Sequence, residues 1–242
     1  MARRSLRISK DSKTIRGAPG FFTALNLLCG YKSILSTLKG DFVSASWCIV
    51  FSMIFDWADG KLARKLGTAS ELGLQLDSVV DAVSFGAAPS VLLYAYAFQN
   101  AKPVFALLPF IYLLSVVYRL ARFNLWVERV PKGHYPGLSS PSSAAFVVSV
   151  ILICDSNAIR LPTEFFVAAT FVLSTLMVSR IKYPSFKGKG FSERWEIGLF
   201  LFAVGLLIFM KYYALFALSF GYALTGPLRV LLKRDNTKGR AD

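Results

Sequence analysis

Long apolar stretches alternate with short, mostly basic segments along almost the whole chain. A helix of about 20 apolar residues spans the hydrocarbon core of a bilayer. The pattern therefore predicts an all-α, polytopic transmembrane helical bundle over residues 20–232, with a basic N-terminal segment at 1–19 and a basic tail at 233–242. The predicted spans, about eight in number, cover residues 20–38, 42–64, 72–98, 103–125, 141–155, 163–179, 195–210 and 212–231.

The basic residues predict how these spans are oriented, because Lys and Arg concentrate in cytoplasmic loops. With both termini in the cytoplasm, an even number of spans leaves few of the 28 Lys and Arg residues on the opposite side, namely Lys32, Lys39, Lys102, Arg160 and Lys211. We therefore expect a multi-pass protein of the cytoplasmic membrane. The first span contains Asn26 and lacks a small-x-small cleavage site, so we expect it to be retained as a helix.

Composition supports the membrane interpretation. The chain is 55% hydrophobic and only 17% charged, whereas soluble domains carry about 25% charged residues. A net charge of +14 would suggest a nucleic-acid partner in a soluble protein. Here the basic residues separate apolar stretches, so we expect no nucleic acid and predict an anionic bilayer surface as their partner.

Acidic residues inside predicted spans are the candidate functional groups, because a charge in the bilayer is costly. One face of the second span carries polar and small residues at helical spacing: Asp56, Asp59, Gly60, Ala63 and Arg64. The third span carries a similar face: Gly73, Asp77 and Asp81. The turn between the spans is short, so we expect the two faces to meet near the cytoplasmic interface.

A cluster of carboxylates in a low dielectric requires compensation, because like charges repel strongly there. Protonation is one solution and a divalent cation is the other. Oxygen ligands without Cys or His favour Mg²⁺ or Mn²⁺, whose shells substrate phosphates often complete. Gly60 leaves room for a ligand, and Arg64 offers a fork of donors for phosphate.

The segment from Asp56 to Asp81 reads D-x2-D-G-x2-A-R-x8-G-x3-D-x3-D without a gap. This pattern resembles the signature of the CDP-alcohol phosphatidyltransferases. Within that family the chain is most similar to phosphatidylserine synthases. The similarity rests on LDSVVDAVSFGAAPS after the motif, RLARFN at 119–124, PGLSSPSSAA at 136–145 and KYPSF at 182–186.

The resemblance implies that CDP-diacylglycerol and L-serine are the substrates, with phosphatidylserine and CMP as products. It implies two divalent cations, Mg²⁺ or Mn²⁺, held by Asp56, Asp59, Asp77 and Asp81, and Asp81 as the general base. It also implies that the CDP-lipid lies against Asp56, Gly60, Ala63, Arg64 and Gly73. The family further suggests a homodimer with its active site facing the cytoplasm.

Other polar residues are candidates for the substrate pockets. Arg119 and Arg122, at the cytoplasmic end of the fourth span, would clamp the serine carboxylate, or would reach lipid headgroups instead. Further acceptor candidates are Asn124, Ser84 and Lys182, where Ser84 would alternatively pack helices and Lys182 would alternatively orient the chain. On the first span, Thr23 and Asn26 would contact the nucleotide or form interhelical hydrogen bonds. The serines around Pro141 are expected to cap the following helix.

Two alternatives remain at this point. The same chemistry would also serve another acceptor, such as glycerol phosphate, inositol phosphate or choline. A transporter with a metal or proton site is the alternative from a different class. Transporters often have two related halves with charges near the midplane, and this sequence has neither feature. The pattern therefore favours the enzyme.

Overall fold

The computed structural model describes residues 17–66, 71–126, 134–184 and 212–238. Its helices are, in chain order, α1 (Gly17–Leu38), α2 (Phe42–Leu66), α3 (Glu71–Phe98), α4 (Leu108–Trp126), α5 (Ser140–Ser156), α6 (Thr163–Val178) and α7 (Tyr212–Lys238). A single 3-10 turn, Phe105–Leu107, precedes α4. The predicted all-helical fold is confirmed. The sequence did not predict one short antiparallel ribbon, formed by β1 (His134–Pro136) and β2 (Lys182–Pro184).

Three of the described helical stretches are long and apolar enough to cross a membrane: Phe42–Leu62, Glu71–Phe98 and Phe105–Leu125. The helices α5 and α6 are apolar but shorter. The predicted span at 195–210 lies outside the described residues. The full count of eight spans and the orientation of the termini therefore stay predictions.

A tight turn joins α1 to α2 and makes them antiparallel neighbours. Asp41 begins α2 as its N-cap, because its Oδ1 accepts a hydrogen bond of 3.0 Å from the Ser44 amide. Hydrogen bonds from Ser44 also lower the pKa of the Asp41 carboxyl. The two helices then pack closely along their length, which brings the first turns of α1 beside the last turns of α2.

The helix α3 is continuous but contains two π-helical segments, Ala82–Ala87 and Tyr94–Phe98. Pro89 lies between them and has no N–H to donate to the carbonyl of Phe85, four residues earlier. The hydroxyl of Tyr112 on α4 donates to that carbonyl instead, at 3.2 Å. A neighbouring helix thus closes the gap in the hydrogen-bond ladder of α3.

The same arrangement recurs in α7. Pro227 cannot donate to the carbonyl of Ala223, and the hydroxyl of Tyr183 on β2 donates to it at 3.2 Å. Burial raises the pKa of Tyr183 to about 12, so the phenol keeps its proton and remains a donor at neutral pH. The Tyr183 ring lies so close to Gly226 that a Cβ there would approach it to 2.4 Å. The ribbon is therefore anchored to α7.

The core lies between α2, α3, α4 and α5. Its fully buried apolar side chains include Ile49, Phe85, Tyr112, Val116 and Val148. The helix α5 enters this core through an N-cap at Ser139, whose hydroxyl accepts a hydrogen bond from the Ser142 amide. This confirms the capping role predicted for the serines around Pro141. The packed core fixes the adjoining ends of α2 and α3, which carry the aspartates.

Candidate functional site

Three of the predicted aspartates meet where α2 and α3 run side by side. Oxygen atoms of Asp56, Asp77 and Asp81 all lie within 4.8 Å of one another. Asp81 is buried, with 9% of its surface exposed, and Asp56 and Asp77 are half-buried. The helical spacing brings Asp77 and Asp81 onto one face of α3, and the antiparallel packing brings Asp56 opposite them. The predicted convergence of α2 and α3 carboxylates is confirmed for these three residues.

The fourth aspartate, Asp59, lies one turn after Asp56 and outside this group. Its Oδ2 accepts a hydrogen bond from the Thr23 hydroxyl on α1. Asp59 is slightly more buried than Asp81, with 6% of its surface exposed. The structure thus shows one of the interhelical contacts expected for Thr23. A metal-ligand role for Asp59 stays a prediction.

The donor set fits hard divalent cations. It consists of carboxylate oxygens, which are the ligands that Mg²⁺ and Mn²⁺ prefer. Among the described residues, Oδ1 of Asp59 and Oδ1 of Asp81 are buried and have no hydrogen-bond partner. Burying an ionised oxygen without a hydrogen-bond partner costs free energy. The residues therefore fit a cation site better than a closed hydrogen-bond network.

Asn26 links α1 to both aspartate-bearing helices. Its backbone carbonyl accepts hydrogen bonds from Ser52 on α2 at 3.0 Å and from Ser84 on α3 at 3.1 Å. Its side-chain amide is directed toward Asp81, although within the described ranges neither polar atom has a hydrogen-bond partner that meets normal geometry. The amide is thus a buried polar group at the edge of the carboxylate cluster.

Ser84 takes part in helix packing, which is the alternative role that the sequence allowed for it. Its side chain is fully buried, and its hydroxyl is used by the carbonyl of Asn26. A Cβ on Gly30 would come within 2.5 Å of the Ser84 hydroxyl oxygen. The glycine therefore permits α1 to approach α3 directly behind Asp81.

The two candidate arginines differ sharply in their surroundings. Arg122 donates to the carbonyls of Val178 at 2.8 Å, Ser179 at 3.2 Å and Met177 at 3.3 Å. These carbonyls end α6, so Arg122 caps that helix. Arg119 donates to the Ser140 hydroxyl at 3.0 Å.

Arg119 also lies close to the carboxylate cluster. Its guanidinium is attracted electrostatically to the Asp81 carboxylate. Its Nε is buried and has no hydrogen-bond partner in the part of the chain that the structure describes. Arg119 therefore lies beside the carboxylate cluster with donor capacity left over.

Asn124 connects α4 to the cluster indirectly. Its side-chain amide donates to the Ser78 hydroxyl at 3.0 Å, and Ser78 directly follows Asp77. The sequence pattern did not indicate a functional role for Ser78, although helical spacing places its hydroxyl next to the motif.

The remaining predicted residues lie at the edge of the site, and for some of them the structure describes only the backbone. Gly60 lies on α2 and is half-buried, and Gly73 lies on the exposed first turns of α3. Ala63 and Arg64 belong to the end of α2, and Lys182 belongs to β2. The side chains of these last three residues lie outside the described part of the structure.

Comparisons with known proteins agree with the site. The family described as CDP-alcohol phosphatidyltransferase matches residues 16–178. A CDP-diacylglycerol–serine O-phosphatidyltransferase of Helicobacter pylori is 33% identical over 199 residues, covering 80% of this chain and 79% of that protein. Proteins with the same name from Bacillus subtilis and Methanocaldococcus jannaschii are 36% and 34% identical, covering 74% and 77% of this chain and 96% and 83% of their own lengths.

These matches confirm the predicted enzyme class, a phosphatidyltransferase of phospholipid synthesis, rather than a transporter. They span the carboxylate cluster, the arginines and the helices that hold them. The chain therefore belongs to the family of CDP-alcohol phosphatidyltransferases.

Proposed function

We propose that this enzyme transfers the phosphatidyl group of CDP-diacylglycerol to the hydroxyl of L-serine, forming phosphatidylserine and releasing CMP. The observation that carries the proposal is the position of Arg119 beside the carboxylate cluster. An acceptor whose carboxylate binds this guanidinium would direct its own hydroxyl toward Asp81. The names of the three relatives support serine as the acceptor.

The cation site would consist of Asp56, Asp77 and Asp81, with Asp59 as the fourth ligand residue. In this proposal the four carboxylates hold two cations, Mg²⁺ or Mn²⁺. The cations would supply positive charge for the diphosphate of the donor lipid and for the departing CMP. The unpartnered oxygens of Asp59 and Asp81 support this assignment.

The donor lipid would place its CDP group along the N-terminal half of α1 and the end of α2. Candidate contacts there are Thr23, Asn26, Gly60, Ala63, Arg64 and Gly73. The buried amide of Asn26, with both polar atoms available, supports a nucleotide or phosphate contact at this position. Gly60 would allow the nucleotide to approach the α2 backbone closely.

Asp81 would act as the general base. As the serine hydroxyl oxygen forms a bond to the phosphorus that carries diacylglycerol, its proton passes to the Asp81 carboxylate. The bond from that phosphorus to the CMP oxygen breaks, and CMP leaves with the electron pair. A positioned carboxylate typically contributes about 10²- to 10⁴-fold to such a proton transfer. The reaction needs no covalent enzyme intermediate.

The acceptor carboxylate would bind Arg119 rather than Arg122. The donors of Arg122 already serve three carbonyls at the end of α6, whereas Arg119 retains a buried, unpartnered Nε. Arg122 and Asn124 would then shape the pocket by fixing α6 and α3. Ser84 would act behind the site through helix packing, and Lys182 would be a secondary candidate at the ribbon.

The distribution of basic residues supports a place in the cytoplasmic membrane with the site facing the cytoplasm. The bilayer and a second copy of the chain, in a homodimer, complete the proposed partners. Serine is soluble and CDP-diacylglycerol is a membrane lipid. A carboxylate cluster at the interface would let both substrates reach the same metal site.

The decisive experiment offers purified full-length protein CDP-diacylglycerol with Mg²⁺ or Mn²⁺ and one acceptor at a time. The acceptors are L-serine, inositol phosphate, glycerol 3-phosphate and choline, and the readouts are CMP release and the lipid product. We expect rapid formation of phosphatidylserine and little product with the other acceptors. Preference for another alcohol would overturn the serine assignment alone, and absence of CMP with all four would contradict the transferase proposal.

A further inference from the structure

The first turns of α3 carry one aspartate of the carboxylate cluster, although most of their side chains are exposed. Every residue of 71–76 is exposed, and so is Val79. Asp77 lies in this stretch, and one of its carboxylate oxygens lies within 4.8 Å of an oxygen of Asp56 on α2. The rotation of a helix about its own axis decides which of its side chains faces a given neighbour. Contacts that fix the rotation of these turns therefore bear directly on the cluster.

Ser78 connects this stretch of α3 to α4. The side-chain Nδ2 of Asn124 donates to the Ser78 hydroxyl oxygen at 3.0 Å. The same hydroxyl lies 3.1 Å from the carbonyl oxygen of Leu74 and 3.2 Å from Oδ1 of Asn124. A hydroxyl has one proton to donate, and the carbonyl of Leu74 is the nearer acceptor. The amide of Asn124 is therefore the donor that joins the two helices.

Asp77 and Ser78 are consecutive, and they face two different helices. Consecutive residues of an α-helix project about 100° apart around its axis. Asp77 lies beside Asp56 of α2, whereas Ser78 binds Asn124 of α4. Both α3 residues and Asn124 are half-buried. A rotation of α3 that breaks the bond to Asn124 would also move the Asp77 carboxylate relative to Asp56.

We propose that Asn124 is a positioning residue for the cation site: its amide holds Ser78, and thereby the rotation of α3 at which the Asp77 carboxylate lies beside Asp56. The inference rests on the proposed function, in which Asp77 is a cation ligand. Groups that orient metal ligands raise the affinity for the metal. Because Asn124 acts through Ser78, it sets the affinity for the cation and leaves the chemistry at a saturated site unchanged.

The test measures Mn²⁺ binding to the purified full chain without lipid or acceptor, from the electron paramagnetic resonance signal of free Mn²⁺. Asn124→Ala and Ser78→Ala should each raise the Kd for Mn²⁺ about 3- to 10-fold, as the loss of one hydrogen bond predicts. Ser78→Thr keeps the hydroxyl, so its Kd should stay within about 2-fold of the wild type. The matched control is Ser115→Ala on α4, whose hydroxyl donates to the carbonyl of Ile111 in its own helix at 2.8 Å; its Kd should be unchanged.

A double variant and steady-state kinetics separate positioning from a general loss of packing. The variant with both Asn124→Ala and Ser78→Ala should bind Mn²⁺ no more weakly than either single variant, because both changes remove the same bond. The Mn²⁺ concentration that gives half-maximal CMP release should rise with the Kd, while kcat at saturating Mn²⁺ stays within about 2-fold of the wild type. Additive losses, or a fall in kcat that excess Mn²⁺ does not restore, would overturn the inference. Should Asn124→Ala fold poorly, Ser78→Ala and Ser78→Thr provide the same comparison.

The two proposals fail in different ways. A wild-type protein that binds no Mn²⁺ refutes the cation site of the proposed function. A wild-type protein that binds Mn²⁺, together with Asn124→Ala and Ser78→Ala variants of unchanged Kd, refutes only the role of Asn124.

Discussion

The proposed donor side of the site, which is the carboxylate cluster, and the proposed acceptor side are built in contrasting ways. The carboxylates of the donor side come from 26 consecutive residues, Asp56 to Asp81, on two adjacent helices. The proposed acceptor side combines Arg119 on α4 with Ser140 on α5, whose hydroxyl accepts a hydrogen bond from that arginine. Local helical spacing therefore determines the first, whereas the packing of distant segments determines the second. The comparison suggests that donor chemistry tolerates little change, while acceptor choice depends on several separable contacts.

Removal of divalent cations is expected to have the largest effect, because it disables the donor side entirely. Activity should fall to background in EDTA and return with Mg²⁺ or Mn²⁺. A tryptophan or thermal-shift titration with the metal alone should detect binding in the wild type and a weaker signal in Asp77→Asn. Full turnover in chelator would contradict the cation site.

Asp81→Asn tests the carboxylate cluster at its proposed general base. Loss of the base should reduce kcat by at least about 10²-fold, measured as CMP release at saturating serine. Asp41→Asn is the matched control, since Asp41 only caps the other end of α2, and it should leave kcat unchanged. A near-normal rate for Asp81→Asn would remove Asp81 as the base. Asp59→Asn then shows whether the fourth aspartate binds a cation or only Thr23.

Substitution of the two arginines tests the acceptor side. Arg119→Ala should lower kcat/KM for serine by about 30-fold or more, because a buried charge-assisted contact contributes roughly 2 kcal/mol. Arg119→Lys should recover only part of that loss. Arg122→Ala should mainly lower the thermal midpoint, since it frees carbonyls at the end of α6. The reverse result would exchange the roles of Arg119 and Arg122.

Tyr183→Phe is expected to have the smallest effect on chemistry and to act on stability. It leaves the carbonyl of Ala223 without a donor, at a cost of about 1–3 kcal/mol in the free energy of unfolding. Thermal denaturation in detergent measures the change. The control Tyr213→Phe alters an exposed contact and should stay within about 0.5 kcal/mol. Equal effects of the two substitutions would contradict the role of the ribbon as an anchor for α7.

The sequence predicted the features that depend on residues close to one another along the chain. Apolar length predicted most of the helices, and helical spacing predicted that Asp56, Asp77 and Asp81 would meet. It could not distinguish Arg119 from Arg122, because the difference lies in the end of α6, more than 50 residues away. The sequence likewise could not show that the Asp59 carboxylate would accept a hydrogen bond from Thr23 on another helix.

The tyrosine–proline pairs were also beyond prediction, for a related reason. A proline in an apolar stretch indicates an interrupted helix, but the residue that supplies the missing donor lies on another element. For Pro89 that residue is Tyr112, and for Pro227 it is Tyr183. Only the tertiary packing identifies them.

The Tyr112 hydroxyl has a consequence for the hydration of α3. An open carbonyl in the middle of a spanning helix would attract water, since the hydrocarbon offers no hydrogen-bond donor. Here the donor is part of the protein, so α3 accommodates Pro89 without hydration of its interior.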